Sequence, residues 1–153
     1  MGISIRPAEH TDVDQIVDFN CRLALESEDI QLDDQTVAVG VRGIIANPDR
    51  GRYWLAEQDG TVCGQCLVTV EPSDWNAGSY WWLQSVYVDS SHRRSGVFRA
   101  LWQCVLEAAT VASDVVAVRL YVDRENRDAR DAYQKIGMCK SSYIVYELPI
   151  GRP

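Results

Sequence analysis

Apolar and polar positions along the chain follow two periods, and each switch between them marks a new element. Ile3-Ser4-Ile5-Arg6 alternates as a short strand, which Pro7 stops. Val13, Ile16, Val17, Cys21 and Ala24 recur at helical spacing behind Thr11, an N-cap residue followed by Asp12 and Asp14, so a helix is expected to about Glu26. The segment from Glu26 to Asp34 is acidic, and its later aspartates are placed to cap a second helix carrying Val37, Val41, Ile44 and Ile45. Asn47-Pro48 ends that helix, because proline disfavours the helical region for the residue before it. Two strand-like runs, Tyr53 to Glu57 and Val62 to Val70, flank Asp59-Gly60, a pair suited to a hairpin turn whose two central residues both have positive φ.

Pro72 to Gly78 reads as a loop, and Tyr80 to Val88 as a buried strand that turns directly into a helix from Val97 to about Val111. On that helix Val97, Leu101 and Val105 share one face, with Cys104 and Ala108 alongside. Val115 to Val122 is another strand, and Ala129, Ala132, Tyr133 and Ile136 mark one face of a short helix closed by Gly137. Tyr143 to Leu148 reads as a last strand before a short tail. The order β-α-α-β-β-β-α-β-α-β is mixed α/β, with both hairpin and crossover connections.

Composition narrows this picture. With 153 residues and 46% hydrophobic content, the chain fits one domain spanning 1–153. A net charge of -7 argues against general affinity for nucleic acid or an anionic membrane, and no stretch approaches the ~18 uncharged apolar residues of a span. Met1 to Pro7 are too short an apolar run for a signal and contain Arg6, and the five scattered cysteines suggest reduced thiols, so a cytoplasmic location is expected. Cys63-Gly64-Gln65-Cys66 has the spacing of a metal or redox pair, but on a strand that odd offset sends the two thiols to opposite faces. Small buried side chains, with no metal, are the expected role.

Against an acidic background, three arginines within seven residues stand out: Arg93, Arg94 and Arg99. They surround Ser95 and Gly96, where strand becomes helix and consecutive N–H groups lack an intrahelical partner. The positive end of the helix dipole lies there too, Gly96 permits close approach, and an anion is the natural ligand. A second stretch, Asn126-Arg127-Asp128-Ala129-Arg130-Asp131-Ala132-Tyr133-Gln134-Lys135-Ile136-Gly137-Met138, follows the strand-like Val118 to Val122.

Together these stretches resemble the GNAT superfamily of acyl-CoA-dependent N-acetyltransferases. In that family a V-Y-V-like strand end leads to (Q/R)-x-x-G-x-(G/A), and N-x-x-A-x-x-x-Y-x-x-x-G-(F) follows on the next strand and helix. Here the first reads Arg93-x-x-Gly96-x-Phe98 behind Val86-Tyr87-Val88, and the second Asn126-x-x-Ala129-x-x-x-Tyr133-x-x-x-Gly137-Met138. The element order matches the family's over nearly the whole chain. Two departures are Arg94, where Gly is common, and Phe98, where Gly or Ala is usual.

The resemblance implies a central mixed sheet of six to seven strands flanked by about four helices, with two parallel central strands splayed at their C-terminal ends. It implies acetyl-CoA as cosubstrate and an amine acceptor on a small molecule or peptide, with a homodimer as the assembly considered. The pyrophosphate would lie on Arg93, Arg94, Ser95, Gly96, Val97, Phe98 and Arg99, and the pantetheine arm on the main chain of Val86, Tyr87 and Val88, with an N–H near Val86 as oxyanion donor. Tyr133 is implied as general acid toward the leaving thiolate, and Asn126 as a contact to the cofactor arm or a helix cap. Where many members place a glutamate as base, this chain has Gln84 and Ser85; Gln84 can position a water or the substrate, and Glu71 and Asp74 are the nearby acidic candidates. Trp81 and Trp82 fall on opposite faces of their strand, and acidic Glu26, Glu28 and Asp29 border the expected acceptor region, which favours an amine with an apolar or aromatic part. The reading from another class is a non-catalytic acyl-CoA-binding regulatory domain of the same fold, which has no need of an acid at Tyr133.

Overall fold

The two hydrophobic periods resolve into a mixed sheet and the helices that cover it. The computed structural model describes residues 2–151 and contains β1 (Ile3–Pro7), α1 (Val13–Glu28), α2 (Asp34–Ile45), β2 (Gly51–Gln58), β3 (Thr61–Ser73), β4 (Gly78–Val88), α3 (Val97–Val111), β5 (Val115–Leu120) and α4 (Arg127–Lys135). The chain divides into two compact units, Met1–Tyr121 and Val122–Pro153. Among the described residues, no helix is long and apolar enough to cross a membrane.

The first unit holds one sheet in the order β1-β2-β3-β4-β5. β1 to β4 run antiparallel to their neighbours, and β5 lies parallel to β4. The hairpin between β2 and β3 turns at Asp59 (φ 53°) and Gly60 (φ 77°), the two positive angles its sequence called for. Cys66, Leu67 and Val68 are consecutive and all buried, so both faces of the sheet are covered. On one face Val13, Ile16 and Val17 of α1 and Val41 of α2 pack with Tyr53, Leu55 and Leu67. On the other lies α3, which buries Val97, Leu101, Trp102, Val105 and Ala109.

The helix ends show where local chemistry was read correctly and where a distant residue intervened. Asp33 caps α2 by accepting from the Thr36 N–H at 2.8 Å, as the aspartate run suggested. The cap of α1 is Asp12 rather than Thr11: a short 3-10 turn, His10–Asp12, precedes the helix, and the Asp12 carboxylate accepts from the Glu9 N–H at 2.7 Å. Arg6 on β1 fixes that carboxylate with two bonds of 2.8 and 2.9 Å, and its Nε reaches Glu57 at 2.8 Å.

The second unit contains α4 and the residues that follow it. The expected closing strand over Tyr143 to Leu148 is not formed among the described residues, and the sheet has five strands rather than six to seven. A strand exists only through a ladder of N–H and C=O partners, and within its own unit this segment finds a helix but no second strand.

The Arg6 pair gives a pH-dependent expectation. Arg6 holds the nearly buried Asp12 carboxyl below the usual aspartate range. Since the unfolded chain titrates near ~3.9, this stabilisation is fully present above about pH 4 and is lost as pH falls through the lower folded value. Asp12→Ala is expected to cost about 2 kcal/mol in urea unfolding at pH 7. The gap from the wild type should shrink at pH 3, and a gap of constant size would refute the assignment.

Candidate active site

The site begins where β4 outruns its neighbour. The β4–β5 ladder ends at Leu83↔Leu120, while β4 continues to Val88. The main chain from Gln84 to Val88 therefore presents, on the β5 side, groups that β5 does not pair. On the β3 side the register shifts: Leu67 pairs with Gln84 and Gln65 with Tyr87, so Ser85 and Val86 together oppose the single residue Cys66. This is a β-bulge, and Ser85 at its centre has φ 48°. A left-handed conformation at a residue with a side chain costs about 1–2 kcal/mol. Its effect is to redirect the peptide groups of Ser85 and Val86 away from the regular ladder.

Beyond Val88 the chain turns into α3. Asp89 caps a short turn by accepting from the Ser91 hydroxyl and, at 3.0 Å, from the Ser91 N–H, and these bonds hold its carboxyl below the usual range. Arg94 (φ 63°) and Gly96 (φ 91°) are both left-handed, which explains why glycine suits either position. The first intrahelical bond runs from the Ala100 N–H to the Gly96 carbonyl at 3.0 Å. First-turn N–H groups ahead of it have no intrahelical carbonyl to meet and point out of the helix end. Val97 is buried and Phe98 half-buried, whereas Arg94, Ser95 and Arg99 are exposed. A Cβ added at Gly96 would meet no atom within 4 Å, so no Phe98 atom lies against that position. Behind it the packing is tight: a Cβ on Gly64 of β3 would lie 2.8 Å from Val97 Cγ1 and 3.1 Å from the Tyr87 carbonyl.

Arg93, one of the three arginines expected to meet an anion, is engaged elsewhere. Its guanidinium pairs with Glu26 at the end of α1, its Nε donates to the Val88 carbonyl at 3.0 Å, and it lies over the Tyr87 ring. The Tyr87 hydroxyl donates to Glu26 at 2.8 Å as well. Arg93 and Tyr87 together hold the Glu26 carboxyl below its usual range. Arg93 thus ties the strand end to α1, and Arg94 and Arg99 are the arginines that remain at the helix start.

Gln84 donates to Thr69 Oγ1 at 2.6 Å. Glu71 accepts from the Trp82 indole at 3.0 Å and lies 3.7 Å from Arg119. It pairs with Tyr80, four residues along β4 from Gln84, so roughly 13 Å of strand separates it from Gln84 and more from the bulge beyond. The structure therefore does not bring Glu71 to the place where Gln84, Ser85 and Val86 meet. In the second unit, Asn126 caps α4 by accepting from the Ala129 N–H at 3.1 Å. Tyr133 is half-buried, and burial pushes its phenol above the ordinary tyrosine value.

Sequence reading passed over one group altogether. Gln65 is fully buried, and its Nε2 donates to the Ser85 carbonyl at 3.2 Å and to Asn20 Oδ1 on α1 at 2.8 Å. Asn20 donates in turn to the Tyr53 hydroxyl at 3.4 Å. A glutamine inside the apolar run Val62 to Val70 was the available signal, since a buried polar residue calls for a partner.

A mixed sheet that opens beside a glycine-started helix, with a bulge on the strand feeding it, is the architecture of an acyltransferase domain. The chain belongs to the acetyltransferase (GNAT) family, whose model matches residues 15–138. The solved structure of a possible acetyltransferase from Clostridium difficile 630 is similar with a TM-score of 0.93 at 35% identity, over 98% of this chain and 99% of that one. A predicted acetyltransferase with acetyl-CoA from Clostridium acetobutylicum shares the fold with a TM-score of 0.78 at 16% identity, over 96% of each chain. A ribosomal-protein-alanine N-acetyltransferase from Brucella melitensis biovar Abortus 2308 does so with a TM-score of 0.78 at 18% identity, over 98% of this chain and 100% of the other. No curated protein matches the sequence.

Proposed function

We propose that the chain is an acetyl-CoA-dependent N-acetyltransferase that moves an acetyl group to the primary amine of a small molecule or peptide by direct attack. The observation that carries this reading is the continuity of the bulge at Ser85, the β4 main chain that β5 leaves unpaired, and the open helix start at Gly96. The first-turn N–H groups of α3, with Ser95, Gly96, Arg94 and Arg99, suit a diphosphate. The main chain of Val86 to Val88 suits an amide-bearing arm laid along a strand edge, which main-chain groups hold whatever their side chains. The acetyl thioester supplies the electrophilic carbonyl. An N–H of the bulge stabilises the oxyanion as the amine attacks, the C–N bond forms, the C–S bond breaks, and the Tyr133 hydroxyl protonates the leaving thiolate.

A phenol raised by burial stays protonated at neutral pH, as an acid in this step must. The amine's proton passes to water, since Gln84 cannot accept it and is already bonded to Thr69. The solved fold relative with acetyl-CoA supports the choice of cosubstrate.

Incubation with acetyl-CoA and pooled amines is the test, read as release of free thiol and as acetylated product. Cofactor binding without turnover for every amine class would identify a binding domain of the same fold instead. Arg94→Glu should weaken CoA about tenfold or more while leaving a pantetheine fragment without phosphates nearly unchanged. Equal weakening of both ligands would contradict a phosphate contact at Arg94.

A further inference from the structure

We propose that Gln65 is a positioning residue of this reaction: from inside the sheet it holds the main chain of Ser85 in the left-handed bulge that directs the oxyanion-binding N–H group. The inference rests on the acetyltransferase reading above. A line of hydrogen bonds through three elements ends on one residue of a fourth. Gln65 from β3 donates to the Ser85 carbonyl, Asn20 from α1 accepts from Gln65, and Tyr53 from β2 accepts from Asn20. A residue with a side chain remains at φ 48° only where its surroundings over-determine it, and this network supplies that constraint.

The unmet half of the Gln65 amide points the same way. Gln65 is fully buried, its Oε1 has no hydrogen-bond partner among the described residues, and Cys63, Cys66, Leu67 and Val68 around it are buried. An apolar side chain of similar size would fill this volume without a stranded oxygen. Packing therefore does not call for glutamine here. What glutamine adds over leucine is the NH2 group, and one of its two bonds goes to the carbonyl of the strained residue. Gln65 touches no reacting atom; it acts through Ser85.

Two substitutions test the proposal. Gln65→Leu removes the orphaned oxygen but also leaves the Ser85 carbonyl and Asn20 Oδ1 without their donor, so the variant should fold with a thermal midpoint modestly below the wild type's. It should leave acetyl-CoA affinity within about twofold and lower kcat by about tenfold or more, because a small displacement of a reacting group is costly in rate. Amide hydrogen exchange at 85–86 should accelerate. Gln65→Glu can donate to the Ser85 carbonyl only while protonated, and burial raises a carboxyl's pKa. Its turnover relative to wild type should therefore climb as pH falls through that pKa, a limb absent from the wild-type profile. Gln65→Leu with wild-type kcat and wild-type exchange at 85–86 would overturn the proposal, as would a loss of folding in that variant or a flat ratio for Gln65→Glu. A wild type that turns over no amine would instead defeat the enzyme reading, and the exchange measurement would still decide whether Gln65 holds the bulge.

Discussion

Replacing Tyr133 with phenylalanine is expected to lower turnover by about 10²–10⁴-fold while leaving acetyl-CoA affinity close to that of the wild type. The ring stays, and the hydroxyl that carries the dissociable proton is lost. Burial shifts the phenol upward, so the acid form persists through neutral pH and the wild-type rate should not decline until well into the alkaline range. In the variant the thiolate must leave unassisted. Thiols with a low pKa leave readily, so an acyl donor with a more acidic thiol should suffer less from the substitution than acetyl-CoA does. Steady-state kinetics with both donors provides the measurement. Unchanged turnover in Tyr133→Phe would remove Tyr133 from the mechanism while leaving the cofactor site intact.

The second large effect is expected at Gly64, a residue with no chemistry of its own. It sits where β3 passes beneath the start of α3, and a single added carbon would lie 2.8 Å from Val97 Cγ1 and 3.1 Å from the Tyr87 carbonyl. Valine adds two further carbons at a point bounded on one side by backbone, which cannot give way. Gly64→Val should destabilise the fold by about 1–3 kcal/mol. It should also lift the first turn of α3 away from β4 and weaken CoA about tenfold or more, because the N–H groups of that turn act only in a fixed direction. Gly40→Ala is the matched control: its Cβ would meet nothing within 4 Å inside α2, so stability should rise by roughly 0.5–1 kcal/mol with CoA affinity unchanged. Denaturant melts and calorimetric titration with CoA would separate the two. Wild-type affinity in Gly64→Val would show that the helix start tolerates displacement.

Both predictions depend on features that differ in how visible they were in the sequence. Tyr133 lies in a spaced pattern behind a strand, and the Gly96 turn lies between a strand and a helix, so each could be picked out from its neighbours. Gly64 could not: it is one glycine in a strand-like run, and its importance arises from Val97, which folding brings against it. Arg93 was legible as a charge, but its pairing was not, since its partner Glu26 stands 67 residues earlier. The closing strand over Tyr143 to Leu148 rests on a run of strand-favouring residues that its own unit does not turn into a ladder, because residue preference says nothing of a pairing partner.

The sequence alone determined what depends on short range: the cap of α2 at Asp33, the Asp59-Gly60 hairpin, the strand that becomes a helix at Gly96, and through these the family. Only the tertiary structure decided the bulge at Ser85, the engagement of Arg93 by Glu26, and the buried bonds that join Gln65 to Ser85 and Asn20. Those bonds link residues 20 and 45 positions apart. Hydrogen bonds act over about 3 Å, so a contact between distant segments exists only once packing has brought them together.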